Sequence, residues 1–189
     1  MYSAGMRGAL KLHPSSSCAA VNRIEVQVTR HEPRHLILHY YVSGQTDGLR
    51  FAPASQPARA DKLWQRCCFE AFVSASPGEA YCEFNFAPSL KWAAYSFESY
   101  RSKMREILEI APPRIEASLA KTSYRMHVAL ELEGLSVLPA DVTWHVGLSA
   151  VIEETSGRMS YWALAHPPGE ADFHHVNCFA LKLHPRISA

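Results

Sequence analysis

The sequence lacks the short motifs that mark several large classes of enzyme. Its 189 residues contain no GxSxG, HExxH, P-loop or GxGxxG pattern. Those patterns position a serine nucleophile, a catalytic zinc ion, a nucleotide phosphate or a dinucleotide. The motif content therefore gives no support for a serine hydrolase, a zinc protease, a nucleotide hydrolase or a dinucleotide-dependent oxidoreductase.

An excess of charge of one sign and long apolar runs are also missing. The chain has 19 basic and 18 acidic side chains, a formal net charge of +1, so no basic field favours nucleic acid. No segment has the length of a membrane span. Residues 1–18 contain no apolar run of signal-peptide length. We therefore expect a cytoplasmic protein that binds neither nucleic acids nor membranes.

Cysteine is present in an odd number and without metal-binding spacing. The five cysteines include no CxxC pair, and Cys67 and Cys68, if they lie in a strand, point to opposite faces. Free thiols in a reducing compartment are the expected state, and we expect no metal and no cofactor. Three histidines, His166, His174 and His175, keep a metal site open as an alternative, because imidazole is a common metal ligand.

Alternation of apolar and polar residues is the main structural signal in the sequence. No segment has convincing long-helix spacing, and period-two patterns run through residues 24–28, 36–42, 81–86, 124–132 and 144–152. Short strands at such intervals are typical of a sandwich or barrel. The sequence therefore predicts one all-β domain over residues 1–189 with about ten or eleven strands, and an irregular lead-in over residues 1–20.

Two neighbouring strand-like runs in the middle of the chain carry the strongest indication of a binding site. Glu83 and Asn85 lie on the polar face of one run, and Trp64, Arg66 and Glu70 share a face of the run before it. If the two runs pair, these faces meet across roughly 5 Å. Carboxylate, guanidinium and amide groups together suit a small polar ligand. The alternatives are a closed structural network that includes an Arg66–Glu70 ion pair, or the carboxylate pair of a hydrolase.

The four tryptophans divide between the core and the expected pocket. Trp144 belongs to an apolar strand face and is interpreted as core. Trp162 shares its face with Ser160 and His166, so we predict that it forms a stacking wall of the pocket together with Trp64. The alternative is that all four tryptophans simply fill the sandwich.

Three long segments carry a resemblance to known proteins: LWQRCCFEAFV, EFNFAPSLKWAAYSFESYR and GLSAVIEETSGRMSYWALAHPPGEADFHH. They resemble the bacterial DOMON-like proteins related to the family 9 carbohydrate-binding modules, and the resemblance covers nearly the whole chain. It implies an immunoglobulin-like β-sandwich of two antiparallel sheets with a ligand cleft on one side. The wider group binds sugars or haem.

The resemblance also assigns residues to the cleft. Four motifs carry the match, with two cleft residues in each. They are W…FE with Trp64 and Glu70, EFNF with Glu83 and Asn85, WAAY with Trp92 and Tyr95, and YWALAHP with Trp162 and His166. Arg66 is added to the predicted cleft residues because it shares a strand face with Trp64 and Glu70. We therefore predict a non-catalytic module that binds a carbohydrate or a similar small polar ligand. A haem- or metal-binding DOMON-type protein and a glycoside hydrolase using Glu70 and Glu83 are the alternatives.

Overall fold

A computed structural model describes residues 5–185 of the chain, and these residues form thirteen strands joined by loops and three short 3-10 turns. The strands are β1 Met6–Leu12, β2 Val21–Glu32, β3 His35–Gly44, β4 Ala58–Arg59, β5 Cys68–Ser74, β6 Tyr81–Phe86, β7 Lys91–Phe97, β8 Arg105–Glu106, β9 Arg114–Ala120, β10 Ser123–Glu131, β11 Trp144–Glu153, β12 Met159–Ala163 and β13 Leu181–Leu183. None of the helical turns in this range has the length or apolar character to cross a membrane.

The strands form two sheets that are joined through β1. The first sheet has the order β1-β2-β3-β10-β9, and the second has the order β4-β7-β6-β5-β11-β12-β1, with β8 on β7 and β13 on β11. All of these pairings are antiparallel except that of β4 with β7. The predicted all-β sandwich of antiparallel sheets is therefore confirmed.

Strand β1 corrects the expectation of an irregular lead-in over residues 1–20, of which residues 1–4 lie outside the described residues. Among its seven residues only Leu10 is buried, so the sequence shows no alternation there. The strand is instead held by its neighbours, because it pairs with β2 on one side and with β12 on the other. The other strands beyond the expected ten or eleven are β4 and β8, which have two residues each and are too short to show a period.

The core lies between the two sheets and is built by alternate side chains. Ile24, Val26 and Val28 of β2 are buried together with the matching positions of the second sheet. The Tyr40 hydroxyl donates a hydrogen bond of 2.7 Å to the carbonyl oxygen of Glu70 and so ties β3 to β5 across the sandwich. The inward side chains of β5 fill this core, so the outward side chains of β5 are free to line a site on the other face of the sheet.

A buried arginine ties β2 to the loop before β11. The Arg30 guanidinium donates to the carbonyl oxygens of Pro33, Ala140 and Val142 at 2.9, 2.7 and 2.6 Å. It also lies 3.6 Å from the centroid of the Trp144 ring. One side chain therefore satisfies several loop carbonyls that have little access to water.

Replacing this arginine should weaken the fold. Arg30→Met is expected to lower the free energy of unfolding by about 2–4 kcal/mol, because the carbonyl oxygens lose their charged donor. Urea denaturation followed by tryptophan fluorescence measures the change. Arg23→Met is the control, because the Arg23 side chain is 60% exposed and pairs only at the surface. A loss no larger than that of the control would show that water replaces the guanidinium.

Candidate functional site

A cavity of about 390 Å³ lies on the outer face of the second sheet. Its floor is formed by outward side chains of β5, β6 and β11, and its walls come from loops that cross the sheet. The volume is at the small end of the range of about 300–1,000 Å³ that is usual for small-molecule sites. The main lining residues are Trp64, Glu70, Glu83, Arg101, Tyr161 and His174.

Two carboxyl groups form the polar part of the floor. In the register of β5 with β6, Glu70 faces Asn85 and Phe72 faces Glu83, so the two glutamates are diagonal neighbours on one face. Both are almost completely buried, with 2% of Glu70 and 5% of Glu83 exposed. Glu70 Oε2 accepts a hydrogen bond of 3.3 Å from the Ser149 hydroxyl. The strand pairing that the sequence predicted is therefore present and brings the two acids together.

Burial changes the acidity of both glutamates. Desolvation raises the pKa of Glu83 from 4.5 to about 7, although the hydrogen bond from Asn85 and the charge of Arg101 oppose the change. Desolvation also raises the pKa of Glu70 well above its ordinary value, and the neighbouring Glu83 adds to this. Two carboxylates this close in a dry site cannot easily both be charged. Both carboxyl groups therefore hold their protons to a higher pH than an exposed glutamate does.

Asn85 adds an acceptor beside the carboxyl groups. Its Nδ2 donates a hydrogen bond of 2.8 Å to Glu83 Oε1. The residue is fully buried, and its Oδ1 has no hydrogen-bond partner. An unpaired buried amide oxygen costs about 1–3 kcal/mol. Asn85 does not line the cavity, so this amide lies beneath the floor and supports Glu83 from below.

One wall of the cavity is the Trp64 side chain, which is positioned by a short turn before β5. Trp64 belongs to the 3-10 turn Leu63–Gln65, which follows Lys62 in a left-handed conformation with φ of 57°. Asp61 fixes this turn, because its Oδ1 accepts from the Lys62 backbone N–H at 2.8 Å and from the Tyr95 hydroxyl at 2.6 Å. The Trp64 ring packs edge-on against Tyr95 with the centroids 5.7 Å apart and remains partly exposed. Trp64 is thus a rigid aromatic wall and not part of a strand.

The opposite wall is built by Arg101 and His174. Arg101 donates to Asp172 Oδ1 at 2.9 Å, and Tyr100 donates to the other oxygen of that carboxylate at 2.6 Å. His174 Nδ1 lies 2.8 Å from the Tyr81 hydroxyl, which leaves Nε2 facing the floor. Burial and then the nearby Arg101 charge lower the pKa of His174 to about 4, so the imidazole is neutral at pH 7.

Backbone strain is concentrated around the cavity. Among residues 5–185, four residues other than glycine have a positive φ. Three of these lie at the cavity walls: Lys62 and Lys103, with φ of 57° and 51°, precede wall residues, and Arg101, with φ of 50°, is itself a wall residue. Left-handed conformations are unfavourable for such residues and persist only where the surrounding structure imposes them. The strain therefore supports the interpretation of this region as a functional site.

The structure brings together five of the nine predicted site residues. Trp64, Glu70 and Glu83 line the cavity directly. Asn85 lies beside Glu83, and Tyr95 packs under Trp64. Tyr95 therefore has a positioning role, because its hydroxyl is bound to Asp61.

The other two predicted tryptophans lie on the wrong side of the sheet. Trp162 is 5% exposed, belongs to the core between the sheets, and donates from Nε1 to the Ser160 hydroxyl at 3.0 Å. Trp92 is 2% exposed in the same core, beneath the Arg59 guanidinium at 4.0 Å. The polar neighbour Ser160 gave Trp162 a mixed face in the sequence, whereas in the structure its hydroxyl accepts from the indole N–H and donates to the carbonyl oxygen of Ile152 at 3.5 Å.

Arg66 and His166 also lie away from the cavity. Arg66 contacts Glu153 at 2.8 Å, and not Glu70, because the strand starts only at Cys68. His166 Nε2 lies 2.8 Å from the carbonyl oxygen of Lys11. Both contacts connect loops and strands at the margin of the sheet.

Several cavity residues have no signal in the strand pattern. Phe97 and Tyr161 lie on strands whose outward face reads as apolar, and Arg101, Phe173 and His174 lie in loops where no period exists. His174 attracted notice only as a metal candidate. Among residues 5–185 no group of three or more His, Cys, Asp or Glu side chains is arranged to hold a metal ion.

The comparisons with known proteins agree on the fold. No family model and no curated protein matches the sequence. A candidate carbohydrate-binding protein from Bacteroides uniformis superposes with a TM-score of 0.68 at 14% identity, covering 96% of this chain and 86% of that one.

Two structures of a family 9 carbohydrate-binding module from Caldicellulosiruptor kristjanssonii are also similar. The complex with cellotriose has a TM-score of 0.57 at 13% identity, covering 97% of this chain and 84% of that chain. The complex with glucose has a TM-score of 0.54 at 11% identity, covering 93% and 81%. The chain therefore has the β-sandwich fold seen in family 9 carbohydrate-binding modules, as the resemblance implied.

Proposed function

We propose that this protein is a non-catalytic module that binds a carbohydrate in the cavity on the outer face of the second sheet. The observation that supports this proposal best is the composition of that cavity, in which two buried carboxyl groups form the floor and aromatic side chains contribute to the walls. Sites for small polar ligands combine an apolar lining with a few fixed polar groups in this way.

The two kinds of lining match the two kinds of surface on a sugar ring. The partly exposed Trp64 offers a rigid aromatic surface to the C–H groups of the ring. Glu70 and Glu83 offer oxygen acceptors for hydroxyl groups. His174, which is neutral at pH 7, offers Nε2 as a further polar contact beside Glu83 Oε2 at 3.8 Å.

The structural neighbours support the ligand class. The module from Caldicellulosiruptor kristjanssonii was solved in complex with cellotriose and with glucose. Identities of 11–14% carry no information on individual contacts. The choice of ligand for this chain therefore rests on its own cavity, and the neighbours add only that the fold is compatible with sugar binding.

A screen of sugars by thermal shift and calorimetry tests the proposal. We expect at least one mono- or oligosaccharide to raise the Tm, because a ligand that binds only the folded state stabilises it by about 2.7 kcal/mol at 100 times its Kd. Glucose and cellotriose are the first probes. If no sugar binds, or if the shift is unchanged in Trp64→Ala, the proposed site is wrong.

A glycoside hydrolase is the second candidate, favoured by one observation. Glu83 has a pKa of about 7 and lies diagonal to a second buried carboxyl, and a raised pKa is what a general acid requires. Chromogenic 4-nitrophenyl glycosides distinguish the two functions. The binding module should release no 4-nitrophenol above the buffer rate, whereas turnover that disappears in Glu83→Gln would establish the hydrolase.

A further inference from the structure

The protein pairs some of its buried glutamates with arginines and leaves others without a cation. Glu153 is 3% exposed and contacts Arg66 at 2.8 Å, and Glu154 is 6% exposed and lies 3.8 Å from Arg158. Burying a carboxylate is unfavourable unless a positive charge or several donors accompany it. These two acids therefore follow the usual arrangement for buried charge.

The two carboxyl groups of the cavity floor, Glu70 and Glu83, have no such cationic partner. Among the described residues no lysine or arginine forms an ion pair with Glu70 or Glu83. The nearest basic group is His174, whose Nε2 lies 3.8 Å from Glu83 Oε2 and which is neutral at pH 7. Arg101 reaches the cavity wall, but its guanidinium is bound to Asp172. Arg101 acts on both carboxyl groups only through its charge, so neither of them has a bound cation among the described residues.

The floor is also short of hydrogen-bond donors. Glu70 and Glu83 receive protein donors from Ser149 and from the Asn85 amide nitrogen. The fully buried Asn85 Oδ1 has no partner. A primary ammonium group carries three donors and no acceptor, so it complements such a floor better than a hydroxyl group, which needs both.

We infer that the site takes a sugar with a free primary amine, a hexosamine, whose ammonium group binds between Glu70 and Glu83. This inference rests on the proposed function and specifies its ligand class. The aromatic walls suit the same ligand, because ring faces such as that of Trp64 attract cations as well as C–H groups. In the empty site a proton takes the place of the ammonium, so binding releases protons to the buffer.

Matched sugars test the inference. Glucosamine, galactosamine and mannosamine are each compared with the parent hexose and the N-acetyl derivative by isothermal titration calorimetry at neutral pH. At least one hexosamine should bind about tenfold or more tightly than both of its partners, as expected for a close charge pair in a dry site. Its binding heat should vary with the ionisation enthalpy of the buffer, since protons are released.

Variants separate the charge from the rest of the site. Glu83→Gln and Glu70→Gln keep the shape of the floor but remove one charge, and each should lower the ratio of hexosamine affinity to parent-hexose affinity about tenfold or more. Glu98→Gln is the matched control, because Glu98 is 65% exposed and paired with Lys103 outside the cavity. A melting curve for each variant confirms that it is folded.

The outcomes distinguish this inference from the proposed function. Equal or tighter binding of neutral sugars in all three sets overturns the hexosamine inference and leaves the carbohydrate site intact. Hexosamine binding that survives both Glu→Gln substitutions also overturns it. If no sugar of any set binds the wild-type protein, the inference and the proposed function both fail.

Discussion

Trp162→Ala should destabilise the protein severely, whereas Trp64→Ala should remove sugar binding and leave the fold almost unchanged. Trp162 is 5% exposed within the core, and truncating a buried tryptophan costs about 3–5 kcal/mol because it removes contacts and leaves a cavity. Trp64 is partly exposed on a turn and packs at the edge of the second buried cluster, against Tyr95 among others. Its loss should cost less than about 1.5 kcal/mol and reduce affinity at least about tenfold.

The comparison of these two variants is informative because the sequence predicted both Trp64 and Trp162 to be stacking walls of the pocket. Urea denaturation measures the stability of each variant, and calorimetry with the tightest sugar of the screen measures affinity. Trp92→Ala serves as a second core control, since Trp92 is 2% exposed in the same core. If Trp162→Ala were well folded but unable to bind, the binding site would have to be sought elsewhere and the assignment of Trp162 to the core would be wrong.

The stability of the protein should fall as the pH rises from about 6.5 to about 8, because Glu70 and Glu83 lose protons that the folded state prefers to keep. Both have pKa values raised by burial, that of Glu83 from 4.5 to about 7. The unfolded chain has already lost these protons above its ordinary pKa, so the folded state binds more protons and each unit of pH weakens it.

Histidines with lowered pKa values oppose this fall in the lower part of the window. Among the described residues these are His39, His145, His166 and His174. They add stability as the pH rises until the unfolded chain has released its histidine protons, about one unit above the ordinary pKa of 6.5. Glu83 alone should account for about 1 kcal/mol in the opposite direction between about pH 6.5 and pH 8, and Glu70 adds to this.

Glu83→Gln tests the origin of this slope. Glutamine imitates the protonated carboxyl group and cannot ionise, so the variant should match the wild type near pH 6 and exceed its stability near pH 8. Glu98→Gln, at a position 65% exposed, should keep the wild-type slope. If the difference in stability between Glu83→Gln and the wild type does not grow between about pH 6 and pH 8, the Glu83 carboxyl group is hydrated and ionised in the folded protein.

Period-two alternation was sufficient to predict the sandwich and the polar part of the site. It placed Glu83 and Asn85 opposite to Phe84 of the core, and the register confirms that their strand pairs with that of Glu70. Such patterns succeed because each strand of this sheet has one face in the core and one face outside.

Alternation could not reveal which face of each strand holds the cavity. The outer face of the second sheet is itself apolar around the site, with Cys68, Phe72 and Val151 in a second buried cluster. Trp162 next to Ser160 therefore looked like a pocket residue, although it points inward. The walls made by Arg101 and His174 depend on loop conformation, for which the sequence carries no periodic signal.

The most direct measurement is a crystal structure of the protein with the tightest-binding sugar from the screen. The account predicts that the sugar lies in the cavity with one face against Trp64 and with polar groups bonded to Glu70 and Glu83. A sugar bound anywhere else, for example on the outer face of the first sheet beside His39 and Tyr41, would contradict the account.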